Sequence, residues 1–388
     1  MALVNGTDNS ETIDQNDGVT DQYDDIYGKM GDDDIFGLGG GDSINAGSGD
    51  DKVWGGEGDD RIYGDFGFDT LRGENGNDLL VGGPGGDQLF GGEGFDYASY
   101  SDSSAGVTVN LATGSASGGE AAGDTLFDIE GLYGSQHADT LIGNDLANYL
   151  GGGGGADTLE GGLGDDTYAI DQDDTVIENE NGGNDAVFAY FQMPGSIKLP
   201  DNVERLFLSG DAATEINATG SSASDFIYGS DGANRIKGLA GDDTLEGDEG
   251  KDVLVGGLGN DILNGEEGAD TLTGGRGKDS LFGGVDADVF DFNSIKESVR
   301  GGSRDIIQDF QRGTDDIDLV GIDAKTGVSG NQKFTFIGKQ DFHDKKGELR
   351  YEDKGSKVIV QGDVDGDGKA DFEILVKAGA LSAGDFIL

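Results

Sequence analysis

An aspartate stands at residues 24, 33, 42, 51, 60, 69, 78, 87 and 96, each nine places after the one before. Two places beyond each lies an apolar side chain: Ile26, Ile35, Ile44, Val53, Ile62, Leu71, Leu80, Leu89 and Ala98. From Gly31 to Gly94 the residue two places before each aspartate is glycine. So regular a period marks a one-dimensional repeat. One apolar residue between outward neighbours makes a strand of about three residues. The glycine-rich remainder makes a turn. A single strand and turn bury nothing. Two form an 18-residue coil, and coils stacked about 4.8 Å apart enclose a narrow aliphatic core.

Aspartates 18 residues apart then share one edge, Asp24 above Asp42 and Asp33 above Asp51. Carboxylates stacked so closely repel unless a cation lies between them. Hard oxygen donors beside glycine carbonyls select calcium over softer transition metals. The candidate ligands of the first array are Asp24, Asp33, Asp42, Asp51, Asp60, Asp69, Asp78, Asp87 and Asp96. A second array supplies Asp139, Asn148, Asp157 and Asp166, and a third supplies Asp225, Asn234, Asp243, Asp252, Asp261, Asp270, Asp279 and Asp288. Asparagine offers an oxygen without charge, so a site using Asn148 should be weaker. Pairs 18 apart allow about fifteen Ca2+ ions, which would add roughly +30 against a formal charge of −53.

The nonapeptide resembles that of the RTX, or hemolysin-type, family, and the resemblance implies parallel β-rolls that bind calcium. The segment from about residue 286 resembles the C-terminal domain of serralysin-type metallopeptidases. The matching text includes Ala287-Asp288-Val289-Phe290-Asp291-Phe292, Asp305-Ile306-Ile307-Gln308-Asp309-Phe310 and the final Gly384-Asp385-Phe386-Ile387-Leu388. That resemblance implies export through type I secretion machinery and an extracellular location.

The expected architecture is all-β: a parallel β-roll or β-helix solenoid with calcium-binding turns, interrupted by wider coils and closed by a β-rich cap. Residues 1–99 hold an N-terminal cap and the first roll, 100–133 a wider insertion, and 134–168 the second block. Residues 169–222 form another β-helix insertion, 223–290 the third roll, and 291–388 the cap and secretion domain. In the cap, segments near 334–337, 348–351, 357–360 and 372–376 read as antiparallel strands. Asp363, Asp365, Asp367 and Asp371, separated by Gly366 and Gly368, form either a short calcium loop or a solvated hairpin.

The chain has 388 residues with 78 acidic against 25 basic, which disfavours nucleic acid and anionic bilayers as partners. It contains no cysteine, so calcium is the expected staple. No apolar stretch is long enough for stable membrane insertion. The histidines, His137 and His343, lie far apart and outside any His-Glu-x-x-His pattern, which excludes that zinc-protease signature.

Phe36, Trp54, Arg72 and Phe90 recur on one outward face and form a candidate partner-binding row, with strand propensity as the plainer explanation. The expectation is a secreted protein that folds on meeting calcium and contacts a matrix, a cell-surface glycan or an extracellular polysaccharide without catalysis. The alternatives are an effector acting on host membranes, or a polysaccharide lyase or epimerase-like enzyme using residues 97–222.

Overall fold

The computed structural model describes residues 2–388. Its regular elements are β-strands apart from 3-10 turns at Gly119–Ala121, Gly301–Ser303 and Ala383–Asp385. The fold is an all-β, largely parallel β-solenoid with mixed strands in its C-terminal part. It divides into two compact units. One reaches to Phe188 and includes Pro200–Val203; the other comprises Ala189–Leu199 and Glu204–Leu388.

In the first unit one face carries Leu3–Asn5, Asp25–Met30, Ser43–Ser48, Arg61–Phe66 and Leu79–Val81, each parallel to the next. The opposite face carries Thr12–Ile13, Asp34–Phe36, Lys52–Glu57, Thr70–Asn75 and Gln88–Glu93. Partners differ by 18 residues along the arrays, for example Ile26 with Ile44 and Val53 with Leu71. The apolar residue of every repeat from Ile26 to Ala98 is fully buried. Each large aliphatic in that file contributes about 2 kcal/mol by leaving water.

Several strands run to six residues where the repeat predicts three. Identical turns lie in register, so pairing continues through them, as at Lys29 with Gly47 and Met30 with Ser48. Such close stacking explains the glycine two places before each aspartate. At Gly49, whose φ is 144°, a Cβ would overlap the carbonyl oxygen of Gly31 in the coil beneath.

The first interruption is more than a widened coil. Thr108–Asn110 and Ser115–Ser117 pair antiparallel, and Ser115 in turn meets Thr125 antiparallel. The three strands continue one face from Gln88–Glu93, which pairs with Thr125–Phe127, to Thr140–Ile142, which pairs with Thr108–Asn110. On the other face Tyr97–Ser99 pairs directly with Gly131–Tyr133. Asn110 starts the reversal by accepting the Thr113 amide at 2.8 Å, and Gly114 completes it at φ 65°. In the second interruption, Thr175–Ile177 adds a parallel rung beside Thr158–Glu160.

The second unit repeats the two-faced plan. Arg205–Ser209, Phe226–Tyr228, Thr244–Glu246, Ile262–Asn264, Ser280–Phe282 and Ile306–Ile307 follow one another on one face. Gly195–Lys198, Ile216–Thr219, Arg235–Ala240, Val253–Leu258, Thr271–Arg276, Val289–Asp291 and Asp316–Asp318 form the other. In the cap, Phe372–Val376, Val358–Asp363 and Glu348–Asp353 are antiparallel neighbours. Thr335–Gly338, expected to be antiparallel, instead pairs parallel with Glu348–Asp353. Phe372–Val376 docks parallel on Ile306–Ile307, and Phe386–Ile387 docks parallel on Asp316–Asp318. The cap thereby pairs both exposed edges of the last coil, which unpaired strands would otherwise leave open.

Candidate calcium turns

In each array the repeat aspartates stack as a ladder of hydrogen bonds. The Asp51 amide donates to Asp69 Oδ1 at 2.8 Å, and the Asp69 amide donates to Asp87 Oδ1 at 2.8 Å. The third array does the same, from Asp243 to Asp261 at 3.0 Å and from Asp252 to Asp270 at 2.8 Å. These carboxylates are buried, yet only one oxygen of each is engaged. Oδ2 lacks a hydrogen-bond partner at Asp33, Asp42, Asp51, Asp60, Asp69, Asp78, Asp87 and Asp96. The same holds for Asp157 and Asp166, and for Asp243, Asp252, Asp261, Asp270, Asp279 and Asp288. A buried ionised oxygen with no partner costs several kcal/mol. Burial accordingly raises the carboxyls, those of Asp42, Asp60 and Asp96 to about 7 and those of Asp69 and Asp252 to about 8.

The space before Oδ2 is kept open by a glycine five residues upstream. A Cβ on Gly64 would stand 2.5 Å from Asp69 Oδ2 and 2.6 Å from the carbonyl oxygen of Gly82. On Gly247 it would stand 2.5 Å from Asp252 Oδ2 and 2.7 Å from the Gly265 carbonyl oxygen. An unpartnered carboxylate oxygen and a carbonyl oxygen from the next coil therefore converge beside an α-carbon without a side chain. The donor set is all oxygen and carries negative charge, which fits calcium.

One further feature separates these open turns from the rest. Four residues before the aspartate, the backbone is left-handed: Lys29 at φ 87°, Leu38 at 74°, Asp65 at 64°, Glu74 at 77°, Leu239 at 83° and Asp248 at 73°. At Asp24, Asp139, Asp225, Asn148 and Asn234 a serine, threonine or asparagine occupies that place. It folds its amide onto the side-chain oxygen. Thr20 donates to Asp24 Oδ2 at 2.7 Å, Ser135 to Asp139 Oδ2 at 2.5 Å and Ser221 to Asp225 Oδ2 at 2.6 Å. Asn144 and Ser230 close on the Oδ1 atoms of Asn148 and Asn234, both at 2.7 Å. For Asp24, burial pushes the carboxyl up, but the Ala2 and Thr20 amides and the Thr20 hydroxyl outweigh it, and the net shift is downward. These five turns supply internally the donors that an open turn lacks.

The ladder also crosses the breaks in phase, through residues that nine-residue counting misses. Asp87 donates to Asp124 Oδ1 at 2.8 Å across 37 residues, and Asp96 to Glu130 Oε2 at 2.9 Å across 34. Asp157 reaches Asp174 Oδ1 at 2.9 Å, Asp166 reaches Asp185 Oδ1 at 2.8 Å and Asp279 reaches Asp305 Oδ1 at 2.9 Å. Each new acidic residue stands two places before a buried or half-buried apolar one: Leu126, Leu132, Val176, Val187 and Ile307. That local signature was visible even where the period failed.

In the cap, Asp363 and Asp365 come together with Asp371, each offering an oxygen within 4.8 Å of the others. Asp363 is engaged by the turn itself, accepting from Gly366 at 2.6 Å and Gly368 at 2.9 Å. Asp367 lies outside this trio and pairs with Lys369 at 3.1 Å. His343 Nδ1 sits 2.9 Å from Glu348, while the His137 amide donates to Ser135 Oγ at 3.0 Å.

On the outer face, Phe36, Trp54, Arg72 and Phe90 lie in register, and Phe127 extends the row. Phe36 and Trp54 stack with centroids 4.5 Å apart, Arg72 lies 4.0 Å above the Phe90 ring, and Phe90 and Phe127 stack at 4.7 Å. The ring faces cover one another, so the row presents mainly edges outward. On the other face Tyr97 and Tyr133 stack at 5.3 Å and line a shallow cleft with Asp59, Asp60, Arg61, Asn77, Asp78 and Leu79.

Among curated proteins nothing matches this chain. Of solved structures, the AlgE6R3 subunit of the Azotobacter vinelandii mannuronan C5-epimerase is 25% identical, with 43% of this chain and 80% of that one covered at a TM-score of 0.28. The family model described as Peptidase M10 serralysin C terminal matches residues 10–388, well beyond the cap that carried the resemblance in sequence. With open aspartate turns in the repeat arrays and the matched text running through both units, the chain belongs to the serralysin C-terminal family.

Proposed function

We propose that the chain is an exported protein whose solenoid assembles on calcium outside the cell and then acts at extracellular polysaccharide. The observation that supports the calcium step is the row of buried Oδ2 atoms without partners, from Asp33 to Asp96 and from Asp243 to Asp288. At the scarce free calcium of a cell interior, carboxylate repulsion keeps the chain expanded and suited to a type I export channel. Outside, ion binding and folding become one free-energy term. The Tyr97–Tyr133 cleft supports the polysaccharide step, because stacked rings beside Asp59, Arg61 and Asn77 offer a sugar both an apolar face and hydrogen-bonding groups. A glycan array read with and without calcium tests this function. Calcium-dependent binding that Tyr133→Ala weakens is expected, and binding unaffected by both changes would remove the reading.

A second reading is modification of the polysaccharide, lyase or epimerase-like, within residues 97–222. A cleft lined by Leu111, Leu126, Asp128, Ile129, Glu130, Asn144 and Leu146 supports it. Burial raises the Glu130 carboxyl, the direction that suits a proton-transferring acid. Release of unsaturated uronate, or a change in uronate composition, that disappears in Glu130→Gln is the expected result of an assay on uronate polymers. Activity retained in that variant would move the chemistry elsewhere.

A further inference from the structure

Where the second array ends, the regular turn is rebuilt from different residues. Counting 18 residues on from Asp166 gives Asn184, but the ladder hydrogen bond goes to Asp185 instead, at 2.8 Å. The other donor changes too. Beside Gly64 and Gly247 the second oxygen belongs to a glycine carbonyl, whereas a Cβ on Gly161 would run into Asp166 Oδ2, Glu178 Oε1 and Tyr168 Oη. A charged oxygen from Glu178 has replaced the neutral one. Asp166, Glu178 and Asp185 each place one oxygen within 4.8 Å of the others, and all three are buried.

The surroundings fix the glutamate in place. Tyr168, itself fully buried, donates its hydroxyl to Glu178 Oε1, and the Asn179 amide donates to Oε2 at 2.7 Å. The Asn202 side chain holds the Glu178 carbonyl at 3.1 Å. Into this group points Asp166 Oδ2, which is buried and without a hydrogen-bond partner. Three carboxylates brought into a space of that size repel one another, and the unpartnered Asp166 Oδ2 among them calls for a cation or a proton.

We propose that Asp166, Glu178 and Asp185 form a separate three-carboxylate site for a hard cation, calcium in function and a trivalent lanthanide as its tightest probe. The extra charge makes it the tightest ion site of its unit, because affinity for such ions rises with the number of charged oxygen donors. Its place gives it a purpose: it ties the last coil of the second array to the chain that follows through residues 178–185. Under chelation this ion leaves last, so that junction stays folded after the regular turns have opened. Tyr168 acts as a positioning residue, since it touches Glu178 and not the ion.

Terbium titration of the full chain, excited through tyrosine, tests the proposal together with calcium counting by equilibrium dialysis. The wild-type protein should show an early, tight terbium phase. In Glu178→Gln that phase should vanish and the calcium count fall by one, while circular dichroism keeps the β signal. Tyr168→Phe should weaken the same phase roughly tenfold, the usual effect of losing a partner that holds a metal ligand. If Glu178→Gln leaves both the count and the tight phase unchanged, the site does not hold an ion. A protonated-carboxyl infrared band at neutral pH in the calcium-loaded wild type, lost in Glu178→Gln, would likewise overturn the proposal in favour of a shared proton. Failure of the calcium reading for the regular turns looks different, because the wild-type chain would then bind at most this one ion.

Discussion

The Asp60 amide donates to Asp78 Oδ1 at 2.8 Å, while Asp78 Oδ2, equally buried, accepts from nothing. Each open turn thus uses half of a carboxylate to register the coils and leaves the other half facing a gap beside a glycine. In the calcium turn proposed above, holding the coils in line and capturing a cation would fall to the same side chain. Substitutions should separate the two tasks.

Asp252→Asn keeps an oxygen for the Asn234 amide, which now reaches Asp252 Oδ1 at 2.7 Å, but removes the charge. Dialysis should show about one calcium fewer, and the calcium midpoint for folding should rise several-fold, since fewer charged donors lower affinity. An unchanged count would mean that Asp252 only registers the coils.

Ser135→Gly should do the opposite. Ser135 closes Asp139 through its amide at 2.5 Å and its hydroxyl at 3.0 and 3.1 Å. Glycine adopts the left-handed backbone of the open turns without steric cost. The expected outcome is one additional calcium bound. A constant count, measured on a variant that still folds, would show that the serine is not what closes the turn.

Gly64→Ala places a methyl group where Asp69 Oδ2 and the Gly82 carbonyl oxygen converge. Overpacking of that kind costs about 1–3 kcal/mol, and here it also obstructs the ion. Thermal unfolding in calcium should fall by that amount. At Gly302, by contrast, a Cβ meets nothing within 4 Å, so Gly302→Ala should stay within about 0.5 kcal/mol of wild type.

Acid should partly replace calcium. Burial lifts Asp42 and Asp60 to about 7 and Asp69 to about 8, from an ordinary value of 3.8. Because the folded-state values lie above the unfolded one, protonation favours the folded chain. That contribution is complete below the ordinary value and is lost as pH rises from there through about 7 to 8. In excess chelator, β structure should therefore grow as pH is lowered from 8 to 5, read by circular dichroism. With calcium present the dependence reverses, because protons then compete with the ion for Oδ2. A chelated chain equally unfolded at pH 8 and pH 5 would contradict this.

Much of the fold was legible because a side chain repeated every nine residues must repeat in space, and the apolar file from Ile26 to Leu89 is buried as that rule requires. What escaped reading lay where the count broke. Asp124, Glu130 and Asp185 complete ladders across 37, 34 and 19 residues, since the intervening chain leaves the coil and returns. The antiparallel excursion at Thr108–Ser117 was hidden for the same reason: its reversal depends on Asn110 and Gly114, which no repeat position marks. Nor did the period distinguish open turns from closed ones. Thr20, Ser135 and Ser221 carry that difference at a place where attention to the aspartate alone looks past them.

The most direct measurement is circular dichroism of the full chain at pH 7.5 as calcium is added to chelated protein and then withdrawn. The account predicts an expanded chain that gains its β signal steeply and cooperatively with calcium, and loses it again on chelation. A complete native β signal in excess chelator at that pH would contradict it.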